Sequence, residues 1–424
     1  MAKKVTKDEK KPVSGVLATA LAINKAYGDK ILMAGDVIPE VQKFSIGTLS
    51  ADFAINGGIP LGTMITFAGP SGGCKTLAAI SAMAQYQKKF PNRVCIYVDA
   101  EHNLPFQIKT FARWTGLQTD EQHFMRLRCV GLPAEQIFKM ILDLQNNDDI
   151  GLIVFDSVKA LVPEIEYEND FDKDNGMRAT VAKSLSKFCR MMLGPLEDKQ
   201  NVCIMINHSI VEPIPGTRAF KYSEPCGTAL NYFPSLKIRF LQRKFTCGTD
   251  LELTEGKVQG EKGIPPDGLV ASFAITKSRF GGIDRSGGKL IFRYATGIDK
   301  ATDIFEVVTR NNIAKLEGST WYLIDPNTGE AYSDDEGNPL KFVGKPKLLK
   351  YLQDNPDFVE EYTKAVNEYI GKTSMDISLL SEQDMAKIIK ISGGLDRDVD
   401  EYNENDEKGE DLTTEVTEDD ENEA

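Results

Sequence analysis

An α/β protein organised around a mostly parallel central sheet is predicted by three observations. Short β-rich apolar runs, among them MITFA (64–68), VCIYVDA (94–100), GLIVFDS (151–157) and VCIMIN (202–207), show no polar alternation, which marks strands buried on both faces. Segments of helical periodicity stand between them, the alternation expected of a parallel sheet. The first of these strands runs into a glycine-rich turn, GPSGGCKT (69–76), and then into a helix whose Leu77, Ile80, Met83 and Ala84 recur at helical spacing. Strand, glycine-rich turn and helix start bring backbone N–H groups onto an anion, so a P-loop NTPase core is expected.

The elements follow in order along 424 residues, enough for one large core and a smaller module. Residues 1–40 begin with the basic MAKKVTKDEKK and continue as the helix-like VLATALAINKAYG, a helical arm read as an oligomerisation element. The core, 41–302, adds the strands SLKIRF (235–240), GLVASFAIT (268–276) and KLIFRY (289–294), with GKVQGEKGIPPDG (256–268) as a surface excursion. Residues 303–392 join helix-like KPKLLKYLQ and FVEEYTKAVNEYI to the turn-rich WYLIDPNTGEAYSDDEGNPL, a small α+β C-terminal module. Residues 393–424 are an acidic tail. From Asp396 onward the chain has 15 acidic and two basic residues, which accounts for the whole net charge of −13 and leaves 48 residues of each sign elsewhere. A segment so charged and so poor in apolar residues cannot offset its ordering entropy and is expected to be disordered. It serves solubility, competes for a basic surface on the body, or docks a basic partner.

No stretch approaches the roughly 18 uninterrupted apolar residues of a membrane span, and the start lacks a signal peptide's apolar run, so a cytoplasmic protein without a membrane partner is expected. Seven scattered cysteines without a C-x-x-C pair indicate reduced thiols, mostly small core residues.

The turn departs from G-x-x-x-x-G-K-[ST] at one position, where Cys74 replaces the last glycine. Gly69, Pro70, Ser71, Gly72, Gly73, Cys74, Lys75, Thr76 and Leu77 are the expected nucleotide contacts. Lys75 neutralises the β/γ-phosphates of ATP, and the Thr76 hydroxyl ligates Mg²⁺. Cysteine is small, and Gly72 and Gly73 keep the turn permissive, so a perturbed but working loop is expected. A thiol at a helix N-terminus beside Lys75 is also expected to have a lowered pKa. Asp156 ends the run LIVF, placed as a second acidic element that holds Mg²⁺ through water. Glu101, in VDAEH, is the candidate that orients and deprotonates the attacking water. His208 ends VCIMINH, where it either senses the γ-phosphate or is structural.

FSIGTLSADFAINGGIPLGTMITFAGP (44–70), VDAEH (98–102), IVFDSVKALVP (153–163), INH (206–208), CGTALNYFPSLKIRF (226–240) and ITKSRFGG (275–282) occur in an order and spacing that resemble the RecA-type recombinases, specifically phage-encoded members of the UvsX sort. The similarity covers roughly residues 44–355. It implies a RecA-like core in which Glu101 is the catalytic glutamate and Phe111 stacks on adenine. His208 stands where a glutamine γ-phosphate sensor is usual, and it can still donate one hydrogen bond. Lys277 and Arg279 fall on a pair that reaches the neighbouring subunit's ATP as arginine-finger-like groups, so turnover requires assembly.

The resemblance also implies two DNA-binding loops. The first is EIEYENDFDKDNGMRAT (164–180), with Met177 and Arg178 near its tip, followed by a stripe of Lys183, Lys187 and Arg190 at i, i+4, i+7 able to track phosphates. The second, SIVEPIPGTRAFKYSEPCG (209–227), mixes Arg218 and Lys221 with Ile210 and Phe220 and closes at Gly227, and is expected to order on DNA. Cys226 replaces a glycine common in the family. Lys341, Lys345, Lys347 and Lys350 either receive duplex or form a solvated face.

The implied function is an ATP-dependent DNA recombinase, a DNA-dependent ATPase that forms helical homo-oligomers on single-stranded DNA and pairs it with homologous duplex, with single-strand-binding and mediator proteins as further partners. The alternatives are an ATP-binding filament scaffold or mediator that does not hydrolyse, and a ring helicase on the same core.

Overall fold

The computed structural model describes residues 15–27, 41–168, 177–213, 220–225, 227–248, 250–259, 263–280 and 287–375. The tail, Arg218 and Cys226 lie outside them. Residues 1–42 are one unit, whose described helix is α1 (Gly15–Tyr27); everything from Lys43 onward is a second.

The second unit opens with β1 (Lys43–Phe44), α2 (Leu49–Ala54), β2 (Ile59–Pro60), β3 (Thr63–Gly69) and α3 (Lys75–Lys89). There follow β4 (Val94–Asp99), α4 (Leu104–Thr115), β5 (Phe124–Arg128), α5 (Ala134–Leu144) and β6 (Ile150–Asp156). Next come α6 (Glu164–Glu168), α7 (Met177–Lys199), β7 (Val202–His208), β8 (Ile210–Pro213), β9 (Phe220–Ser223) and α8 (Ala229–Tyr232). The core closes with β10 (Leu236–Phe240), β11 (Lys244–Cys247), β12 (Asp250–Leu253), α9 (Glu255–Gln259), β13 (Gly268–Ser278), β14 (Gly287–Arg293) and β15 (Gly297–Ile298). The C-terminal part is α10 (Lys300–Arg310), β16 (Lys315–Glu317), β17 (Thr320–Tyr322), β18 (Lys341–Val343), α11 (Lys345–Asp354) and α12 (Pro356–Met375).

The α/β core has a large sheet of order β12-β11-β13-β10-β3-β7-β6-β4-β5, with β14 beside β13. From β10 to β5 every pairing is parallel, while β10–β13, β13–β14 and β11–β12 are antiparallel. Side chains alternate between the two faces. Ile65 and Phe67, Tyr97, Leu152 and Val154, and Ile204 and Ile206 pack with α3 on one side. Met64, Ile96 and Val98, Ile153 and Phe155, and Cys203 and Met205 pack with α5 and α7 on the other. Both faces are covered, which is why these runs read as uninterrupted apolar text.

α10 spans the expected boundary at residues 302 and 303. Its Ile304 and Val308 share a core with Leu49, Trp321, Leu348, Tyr362 and Val366. Its buried Asp303 accepts from Leu49 N at 2.5 Å and Ser50 N at 3.0 Å, satisfying two of the first N–H groups of α2. No helix among the described residues is long and apolar enough to cross a membrane.

Candidate functional site

The site forms where β3, β4, β6 and β7 end together. Between β3 and β4 in the sheet stand β7 and β6, so the phosphate turn and the acidic strand ends face a common crevice at the carboxyl edge. Register places the partners: Gly69 pairs with His208, and Asp99 with Asp156.

Gly69 has φ +153°, and a Cβ there would lie 2.5 Å from the Phe240 carbonyl oxygen, so close approach of β10 requires glycine. Cys74, the residue that breaks the motif, has φ 62° and ψ 21°, the left-handed conformation that glycine adopts without a Cβ clash. The glycine usual at this position is thus explained by backbone geometry as well as by phosphate approach. The expected lowering of the Cys74 thiol is overturned: burial pushes it up to about 11, against the opposing charges of Arg243 and Lys75. Desolvation outweighs the helix N-terminus here.

Lys75 is buried and folds back on its own loop, donating to Gly69 O at 3.0 Å and Pro70 O at 2.7 Å. Burial lowers its pKa, opposed by the charges of Asp156 and Glu101. The Thr76 hydroxyl donates to Asp156 Oδ2 at 2.7 Å, and the buried Tyr97 hydroxyl donates to the same oxygen at 2.5 Å. Burial raises the Asp156 pKa, and the bonds from Thr76 and Tyr97 oppose that rise.

Glu101 lies just past β4, its N–H bound to Asp156 O at 3.2 Å. Its Oε1 accepts from Ser157 Oγ at 2.5 Å and lies 2.7 Å from His208 Nε2, a geometry in which the ring N–H donates to the carboxylate. These contacts pull the Glu101 pKa down to about 2: the His208 hydrogen bond contributes most, burial opposes it, and Ser157 and the charges of His208 and Lys75 add to it. Nucleotide loop, metal-type oxygens, glutamate and histidine thus share one connected cluster.

Phe111 packs on α4 against the core, its ring 6.0 Å from Trp114. Trp114 stacks on Tyr294 at 5.7 Å and, with Arg113, donates to the Tyr294 carbonyl. Tyr294 is within electrostatic reach of Cys74 and Arg243, and the Arg243 guanidinium lies 3.9 Å from where a Cβ on Gly72 would stand. Tyr97, Ser157, Arg243 and Tyr294 are not among the residues expected from sequence. Tyr97 and Ser157 carry a signal there, a hydroxyl inside VCIYVD and another directly after Asp156.

Lys277 and Arg279 stand at the end of β13, away from the cluster around Glu101. Lys277 Nζ donates to Asn231 O at 2.7 Å and Tyr232 O at 2.8 Å, and Arg279 Nη2 donates to Tyr232 O at 2.8 Å, capping the last carbonyls of α8. Burial, then Arg279 and Lys237, lower the Lys277 pKa.

Lys183, Lys187 and Arg190 are exposed along α7, which Met177 and Arg178 begin. Glu135 ties the start of the expected first DNA loop to α7: it accepts from Glu164 N at 3.0 Å and Ser184 Oγ at 2.7 Å. The second loop is expected to order on DNA, yet its flanks already pair as an antiparallel hairpin, Ile210 with Ser223 through Pro213 with Phe220, and Lys221 opposite Glu212. Main-chain pairing supplies order that glycine and proline content alone does not suggest. Gly227, with φ +76°, abuts α7, since a Cβ there would lie 2.7 Å from that of Ala182.

Phosphate loop, hydroxyl–carboxylate pair and strand-end glutamate define a P-loop NTPase. The model of the RecA N-terminal domain matches residues 15–258. Similar curated proteins include Protein RecA of Ectopseudomonas oleovorans, 27% identical over 361 residues that cover 84% of this chain and 92% of that protein. Protein RecA of Deinococcus radiodurans is 27% identical over 374 residues, 85% of this chain and 91% of that protein. A crystal structure of the RadB recombinase aligns with TM-score 0.41 at 18% identity, covering 60% of this chain and 97% of that one. The chain belongs to the RecA family. It is an ATP-dependent DNA recombinase and DNA-dependent ATPase that uses ATP and Mg²⁺ and assembles as a homo-oligomeric filament on DNA.

Proposed function

We propose how this chain's residues divide the recombinase's work, with Glu101 as the base held in reserve by His208. The observation that supports this most is the shared oxygen of Glu101, gripped by His208 and Ser157 beside Lys75. Near pH 7 a carboxylate with a pKa of about 2 is fully ionised and a weak base. When His208 turns to a γ-phosphate, Glu101 loses the largest cause of its depression and regains basicity toward a water. His208 is followed at once by Ser209 and the β8 strand, so the same movement reaches the second DNA loop.

The Thr76 hydroxyl and Asp156 carboxylate are hard oxygen donors that suit Mg²⁺, which takes one or two protein oxygens and fills its shell with phosphate and water. Bound there, the ion would withdraw charge from phosphate oxygens. Lys75, released from Gly69 and Pro70, neutralises phosphate, and residues 69–77 cradle it. Phe111, Trp114 and Tyr294 flank the base. Lys277 and Arg279 act in trans on the neighbour's ATP, and Met177, Arg178, Lys183, Lys187, Arg190, Ile210, Arg218, Phe220, Lys221 and Gly227 face DNA.

His208, Arg279 and the acidic tail support a phage-encoded, UvsX-like member working in the host cytoplasm with single-strand-binding and mediator proteins. The division into arm 1–40, core 41–302, module 303–392 and tail 393–424 belongs to the same reading. Strand exchange between homologous DNAs with and without ATP tests it, together with phosphate release with and without single strands. ATP-dependent exchange and DNA-stimulated release are expected; filaments that form but release no phosphate would sink the assignment of Glu101 as base.

A further inference from the structure

We infer that the buried Glu224–Lys237 ion pair is a positioning clamp, holding the base of the second DNA loop to the end of α8, whose carbonyls accept from Lys277 and Arg279. The inference rests on the roles proposed above for that loop and that pair. Glu224 directly follows β9, the returning strand of the hairpin, and its Oε2 lies 2.9 Å from Lys237 Nζ, with only 10% of the Lys237 side chain and 9% of the Glu224 side chain exposed. Lys237 sits on β10, which is paired on both sides, to β3 and to β13, so its stem is fixed to the centre of the sheet. The same ammonium donates to Asn231 Oδ1 at 2.6 Å on α8. One cation therefore grips the end of the loop and the helix beyond it.

The contacts continue in both directions. Asn231 O and Tyr232 O receive Lys277, and Tyr232 O receives Arg279. On the other side Asn207, the residue before His208, donates through Nδ2 to Pro225 O at 3.0 Å, next to Glu224. Contacts thus run from Glu101 through His208 to the loop base, and through Lys237 to the trans cations. A buried ammonium that loses its carboxylate is left uncompensated, so a loop drawn toward DNA takes Lys237 and Asn231 with it or breaks the pair. Either response changes the carbonyls that hold Lys277 and Arg279, giving the two-arrangement element that coupling between sites needs.

The test uses the full chain. Lys237→Met alone strands a buried carboxylate and can unfold the protein, so the informative variant is the double Glu224→Leu/Lys237→Met, since apolar groups of similar volume replace buried ion pairs without loss of folding. Lys237→Arg is the conservative control. Phosphate release is measured against ATP concentration with and without single-stranded DNA, alongside thermal melting and binding of a labelled single strand with a non-hydrolysable ATP analogue. The double variant should melt like the parent, bind the strand and keep its DNA-independent turnover, while its DNA-stimulated kcat falls by about tenfold with KM for ATP unchanged. Lys237→Arg should recover most of the stimulation.

A double variant with the parent's DNA stimulation overturns the clamp. If Lys277→Ala abolishes stimulation in that comparison, the trans pair survives and only the clamp is lost; a parent chain without DNA stimulation refutes the reading beneath both. Should the double variant not fold, Glu224→Gln decides, with the same loss of stimulation expected and full stimulation refuting the clamp.

Discussion

Replacing His208 by alanine tests the held-base arrangement directly. The carboxyl of Glu101 moves from its ordinary 4.5 to about 2 in the folded chain. At about 1.4 kcal/mol per pKa unit this is on the order of 3 kcal/mol at neutral pH, shared among all its causes. His208 is the largest of them, and a hydrogen bond to a charged group contributes roughly 1.5–3 kcal/mol, so His208→Ala should cost about 2 kcal/mol at pH 7 without nucleotide. Because the folded pKa is depressed, this stability is present above the unfolded value near 4.5 and is lost as pH falls through about 2. Urea denaturation of both proteins at pH 7, 5, 4 and 3 reads the effect. The gap between them should hold from pH 7 to 5 and shrink by about half by pH 3. His208→Gln, which keeps a donor, should show a smaller gap. A gap that is absent at pH 7, or equally wide at pH 3, refutes the claim that His208 depresses Glu101.

Cys74→Gly should release the left-handed cost of a Cβ, about 1 kcal/mol, and raise the melting midpoint by a degree or two; an unchanged or lower midpoint contradicts the strain. With the thiol at about 11, alkylation of Cys74 should be slow at pH 7.5, climb steeply above pH 9 and be suppressed by ATP·Mg²⁺. Fast labelling at neutral pH would restore the lowered pKa expected from sequence. Tyr97→Phe removes one of two donors to Asp156 Oδ2 and should raise the Mg²⁺ concentration needed for fluorescent ATP binding several-fold, about 1 kcal/mol, while Mg²⁺-free binding stays constant. An unchanged Mg²⁺ midpoint assigns Tyr97 to packing alone. Deleting residues beyond 395 removes 15 acidic side chains and should tighten duplex binding most at low salt; weaker binding rules out an electrostatic competitor.

What is legible in the sequence, and what is not, divides along a physical line. Apolar runs without alternation announce strands covered on both faces, and a glycine-rich turn between strand and helix announces a phosphate site, because each pattern is local and few different structures produce it. Glu101, Asp156 and His208 are legible for the same reason: Asp156 and His208 end such strands and Glu101 stands just past one. Parallel register then brings strand ends together, as Gly69 beside His208 shows. Tyr97 and Ser157 leave only a weak signal, because a hydroxyl inside a strand or just after one is ordinary until its partner's position is known. Tyr294 and Arg243 stand more than 150 residues after the loop they approach, and no spacing rule joins them to it. Cys74 misleads for a different reason. The helix N-terminus and Lys75 are visible in sequence and both favour a thiolate, whereas the burial that outweighs them exists only in the fold, where the end of β10 closely approaches the turn. Sequence exposes the charges around a group before it exposes the loss of water. The sign of a pKa shift at such a position therefore has to be taken from the fold, and the same reasoning makes the Glu224–Lys237 pair, two ordinary charged letters in separate segments, a coupling element once both are buried.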